Sequence, residues 1–170
     1  SQDLKAAIPY MKGHLSAYQL TIKGGTAFEK LEQRGELTML NDDVTADFYN
    51  LTNDIMEANN MPAYEVSNYG AEGERSRHNQ VYWYYQDYVG IGPGAHGRIS
   101  YNNQKFSTED YKKPSEWMRA VQQNGHGSHP HEVLDNKEQF IEMIMAGLRL
   151  KEGIAFDRLK DKTNLNWSDL

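Results

Sequence analysis

Val44, Phe48, Leu51, Ile55 and Ala58 recur at intervals of three and four residues. That spacing lines one side of an α-helix and neither side of a β-strand. Asp42 or Asp43 supplies a capping carboxylate before the run, and Asn59-Asn60 supplies the stop. Strand-like segments flank it. "HLSAYQLTI", residues 14–22, alternates His14, Ser16 and Tyr18 with Leu15 and Ala17 until Gly24-Gly25, and "MPAYEVSN" extends after Pro62. A shorter helix, capped by Thr26 and ending near Gly35, is expected within "AFEKLEQRGEL". Strand, helix and strand in succession predict a parallel α/β layer with an uncovered edge, an arrangement that favours self-association.

From Asn68 the pattern changes to glycine, charge and aromatics. "RISY" and "KFST" flank Asn102-Asn103-Gln104 and predict a hairpin. Two helices should follow, over 113–123 with Trp117 and Val121 inward, and over 136–151 with Phe140, Ile144, Met145 and Leu148 inward. The chain of 170 residues is long enough for a substantial core.

Charge and composition exclude several function classes. A net charge of −6 with no basic cluster argues against nucleic-acid binding. No run approaches the roughly 18 apolar residues of an integral membrane segment, and "SQDLKAAIPYMKGHL" lacks a secretion signal, so a cytoplasmic location is expected. There is no cysteine, hence no thiolate for zinc or an iron–sulfur cluster within these residues. The first residue is not Met and the last stretch, "LKDKTNLNWSDL", reads as entering further structure, which suggests an excised fragment.

Five groups of residues invite a chemical reading. "GPGAHG", residues 92–97, has the letters of a dinucleotide fingerprint, but the strand-like "RISY" after it replaces the helix that such a site requires; a glycine-lined strand end fits better. His126, His129 and His131 sit in a loop with Gly127 and Pro130, for which a solvated loop is the simpler reading than a metal site. His14 and His96 read as hydrogen-bonded core histidines. Glu65, a carboxylate inside a short apolar strand, must reach a pocket rim or find a buried partner. "RHNQVYW", residues 77–83, offers an imidazole and an aromatic surface, yet an aromatic density this high also describes plain core.

"HLSAYQLTIKGGTAF", "MPAYEVSNYGAEGERSRHNQVYWYYQDYVGIGPGAHGR" and "EMIMAGLRLKEGI" resemble consecutive blocks of the HemW-type proteins, radical S-adenosylmethionine (SAM) proteins related to oxygen-independent coproporphyrinogen III oxidase. The resemblance spans residues 5 to 157 and implies a fragment of a longer parent. That parent would carry a CxxxCxxC loop holding a [4Fe–4S] cluster, and no such loop occurs here. The fold implied is α/β: residues 1–100 as the later strands and helices of an incomplete (β/α) TIM-like barrel, 101–152 as an α+β extension with a hairpin and two helices, and 153–170 as the start of a small helical domain. Thr21, Gly90, Ile91, Gly92 and Gly94 match positions near the adenosyl cofactor. His78, Asn79, Tyr82 and Trp83 reproduce the HNxxYW motif associated with haem, with His78 as the iron ligand.

The function implied for the parent is a haem chaperone, whose partners are haem and a haem-acceptor protein. The rival is the oxidase itself, an enzyme that decarboxylates the propionates of coproporphyrinogen III; a haem-free scaffold is the third reading. Without cysteines, the fragment itself is expected to have no radical activity.

Overall fold

The computed structural model describes residues 2–169 and divides into two compact units, one running up to Ser76 and the other starting at Arg77. Residue 100 lies within a strand of the second unit.

In the first unit, α1 (Gln2–Ala7) and a 3-10 turn (Ile8–Tyr10) lead to β1 (His14–Ser16), followed by α2 (Ala27–Gln33), α3 (Asp42–Ala58), β2 (Ala63–Glu65) and β3 (Asn68–Gly70). Thr26 caps α2 as expected, its hydroxyl accepting the Glu29 amide. The cap of α3 is Asn41, one residue ahead of the expected aspartates, with its side chain accepting Val44 N–H at 2.9 Å.

The expected parallel layer does not form. β3 lies between β1 and β2 and runs antiparallel to both, with His14 opposite Gly70, Ser16 opposite Asn68 and Ala63 opposite Tyr69. The cause is local. Glu65 accepts the Ser67 N–H at 3.0 Å and the Asn68 side-chain amide, which holds a tight turn and sends the chain straight back beside β2. β1 is also shorter than the predicted nine residues: Ala17 adds one bond to Ser67, and then Tyr18 and Leu20 stand exposed.

Met56, Met61 and Tyr69 form this unit's core, with Leu15 and Ala63 packed against them. Met56, beside the predicted stripe, is the fully buried residue of α3, whereas Val44, Phe48 and Leu51 remain exposed. The C-terminal part of the helix is the part that meets the core.

The second unit contains α4 (Arg77–Trp83), β4 (His96–Tyr101), β5 (Gln104–Glu109), α5 (Pro114–Asn124), β6 (Glu132–Leu134), α6 (Asn136–Gly147), α7 (Phe156–Thr163) and a final 3-10 turn (Trp167–Asp169). β4, β5 and β6 make an antiparallel sheet in that order. Its first hairpin turns on Asn102 and Asn103 alone, both at positive φ, as a two-residue type I′ turn requires.

α6 opens with a full capping box between Asp135 and Glu138. Phe140 and Met143 on α6 meet Leu159 on α7. Burying three such side chains contributes about 1.5–3 kcal/mol each. α6 ends at Gly147, where a side chain would collide with Ile154. Met145 and Leu148, expected inward, are exposed, because the buried face of this helix runs through Phe140, Met143 and Gly147.

Candidate functional site

α4 carries "RHNQVYW" as a helix, which places His78 and Tyr82 one turn apart on the same face. Their rings meet edge to face with centroids 5.0 Å apart, and the Tyr82 hydroxyl lies 3.3 Å from Nε2 of the exposed His78. Tyr82 also stacks edge-on against Tyr88 at 4.6 Å. Trp83 is half-buried beneath the Arg149 guanidinium, which sits 4.4 Å from its ring. The Trp83 indole N–H is buried and has no acceptor among the described residues. Asn79 is half-buried on the same helix.

Tyr82, Trp83, Tyr85 and Tyr88 wall a cleft of about 520 Å³ whose other side includes Met145, Arg98 and Glu142. A predominantly apolar cleft with a few polar groups is the usual form of a small-molecule site. At its edge Arg98 donates through Nε and Nη2 to Glu142, and the Tyr85 hydroxyl donates to the same carboxylate at 2.7 Å. Burial pushes the Glu142 carboxyl up, but the hydrogen bonds from Arg98 and Tyr85 outweigh it and hold the group below the usual carboxylate range. Burial and the bond to Glu142 push the Tyr85 phenol up. The site therefore presents a charged but internally neutralised pair under an aromatic wall.

The glycine-rich segment behaves as a close-packed strand end. A side chain at Gly90 would overlap the His96 backbone, and one at Gly97 would overlap the Thr108 hydroxyl. Gly92 and Gly94 hold φ of 102° and 72°. Asp110, buried, ties this loop down: its carboxylate accepts from Trp117 Nε1 at 2.8 Å, from Ser128 Oγ at 2.7 Å and from the Gly92 amide. Ile91 projects from the loop and is 88% exposed. Thr21, in the first unit, is exposed outside any helix or strand.

Among the other candidates, His14 is hydrogen-bonded to the Tyr64 hydroxyl at 3.0 Å, as expected of a structural histidine. His96 is not a core residue; it stands exposed at the start of β4, 4.0 Å from Glu109, because the chain alternates Gly97 rather than His96 inward. Glu65 has taken the buried-partner option described above. His129 stacks on Tyr111 at 4.0 Å, and among the described residues no three metal-ligating side chains gather. Sequence reasoning missed Arg98, Glu142 and Asp110. Arg98 and Glu142 lie 44 positions apart, so no local pattern links them.

The described residues fold as a mixed α/β protein. Superposition on coproporphyrinogen III oxidase (HemN) of Escherichia coli, described as a radical SAM enzyme, gives a TM-score of 0.70 at 12% identity, covering 98% of this chain and 40% of that one, a likeness of fold. Residues 134–170 match the HemN C-terminal domain. The chain is 35% identical over 146 residues to the mitochondrial radical S-adenosyl methionine domain-containing protein 1 of Danio rerio, covering 84% of this chain and 33% of that protein. It is 32% identical over 171 residues to the heme chaperone HemW of Lactococcus lactis subsp. lactis (strain IL1403), covering 99% of this chain and 43% of the relative. The chain belongs to this HemN/HemW family and spans between 33% and 43% of the length of those two relatives. No helix among the described residues is long and apolar enough to cross a membrane.

A [4Fe–4S] cluster does not fit, since these 170 residues include no cysteine. A flat macrocycle fits better: a solvent-facing imidazole, four aromatic rings and an unsatisfied indole N–H lie along α4 and its cleft.

Proposed function

We propose that this chain serves a HemW-like protein that binds haem and passes it to acceptor proteins, with α4 and its aromatic cleft as the ring's seat. The observation that carries this reading is the double role of Tyr82, which touches the exposed His78 and also helps to wall the cleft. Neutral imidazole is a haem-iron ligand, and His78 Nε2 would serve once it exchanges the Tyr82 hydroxyl for iron. Tyr82 and Trp83 would give the macrocycle apolar area, and Asn79 would steady the helix start. In the longer protein, Thr21, Gly90, Ile91, Gly92 and Gly94 would border S-adenosylmethionine, cluster cysteines would come from outside these residues, and residues up to about 100 would complete an incomplete (β/α) barrel.

The likeness to coproporphyrinogen III oxidase favours a second reading, in which the cleft seats a porphyrinogen for decarboxylation. Iron separates the two. Titration of the chain with haemin should give a saturable Soret shift, and metal-free protoporphyrin IX should bind at least about tenfold more weakly, because it offers His78 nothing to ligate. Equal affinity for both rings would defeat the ligand assignment. Turnover of coproporphyrinogen III by the full-length protein with S-adenosylmethionine would establish the oxidase instead.

A further inference from the structure

A second cavity in the same unit, about 340 Å³, is bounded by Lys105, Arg158, Lys162, Asp87, Ser100 and Gln139. Its charges do not balance. Asp87 is engaged by three donors: it accepts from Lys105 Nζ at 2.6 Å, from Ser100 N–H at 2.7 Å and from Ser100 Oγ at 2.9 Å. Lys105 is 7% exposed, with its ammonium also 4.7 Å from the Tyr85 ring centre, so it forms a fixed cationic wall. Arg158 donates to the Tyr84 carbonyl and approaches the Tyr84 ring at 5.8 Å. Among the described residues neither Arg158 nor Lys162 is in an ion pair. In a chain of net charge −6, two cations that make no ion pair among the described residues thus meet at one concavity, beside the Lys105–Asp87 pair.

Concave walls of one sign concentrate counter-ions, and a guanidinium beside an ammonium suits a compact oxyanion. We propose that this cavity binds the carboxylate or phosphate group of a small ligand, with Arg158 and Lys162 supplying the charge and Lys105 the floor. The cavity shares Tyr85 with the aromatic cleft, but its charges come from other residues, and the proposal does not depend on haem binding in that cleft.

The test is a titration of the chain with inorganic phosphate and, separately, with succinate, at ionic strength held constant with chloride, read by backbone amide NMR. Saturable shifts at Ser100, Lys105 and Gln139 are expected for at least one anion; phosphate alone would assign a phosphate group, and succinate alone a carboxylate. Lys162→Glu should weaken that binding by about tenfold or more, whereas Lys160→Glu, the same charge change on the same helix but outside the cavity, should leave it nearly intact. Absence of saturable shifts with both anions would overturn the proposal. Equal weakening by the two variants would overturn it too, since only net charge would then matter.

Discussion

Arg98 on β4 holds Glu142 on α6 through two nitrogens, Nε to Oε2 at 3.0 Å and Nη2 to Oε1 at 2.7 Å. This bidentate pair joins the sheet to the helix layer at the edge of the aromatic cleft, and it is mostly shielded from water, with side-chain exposures of 19% and 28%. Glu142→Gln should lower stability by about 1–3 kcal/mol, measured by urea unfolding at neutral pH. The sign with pH follows from the lowered carboxyl: its contribution is present above the unfolded-state value, about 4.3, and is lost as pH falls through the lower folded value. The gap between wild type and variant should therefore close in acid. A gap that persists unchanged at pH 2 would rule out the ion pair as its source.

Asp110 restrains the glycine-rich loop through Gly92 while anchoring Trp117 and Ser128. Asp110→Asn keeps the shape but replaces an acceptor oxygen with a donor, leaving at least one of the three donors unmet. Expected are a loss of about 1–3 kcal/mol and faster hydrogen exchange at the Gly92 amide. Unchanged exchange there would show that the loop is held by something else.

Gly90 and Gly92 should respond differently to alanine. At Gly90 the added methyl meets the His96 backbone, which cannot step aside without breaking the strand end, so a loss above about 2 kcal/mol is expected. At Gly92 there is open space, and the cost is the strain of φ at 102°, about 1–2 kcal/mol. Thermal melts of the two single variants compare them, and a milder effect at Gly90 would contradict the close approach.

Local signals in the sequence were legible to the extent that their partners were local. The α3 periodicity, the Thr26 cap and the Asn102-Asn103 hairpin all depend on residues within a few positions of one another, and all three elements formed. Strand pairing depended on the turn that Glu65 organises, where one carboxylate decided between a parallel and an antiparallel neighbour. The outward stance of Met145 and Leu148 depended on α7, which chooses the other face of α6. At the candidate site, the four-residue spacing of His78 and Tyr82 gives a shared face only once the segment is a helix, which the structure supplies. The cleft does not follow from spacing, because Arg98, Glu142 and Met145 arrive from distant segments.

The most direct test of haem binding through α4 is a single variant, His78→Ala, examined for both stability and haemin spectrum. His78 is exposed and its ring meets that of Tyr82, one turn on, so its removal should change the melting temperature little. With His78 as iron ligand, the variant should lose or shift the Soret band of the haemin complex while melting close to wild type. An unchanged Soret band in a normally folded His78→Ala protein would contradict that assignment.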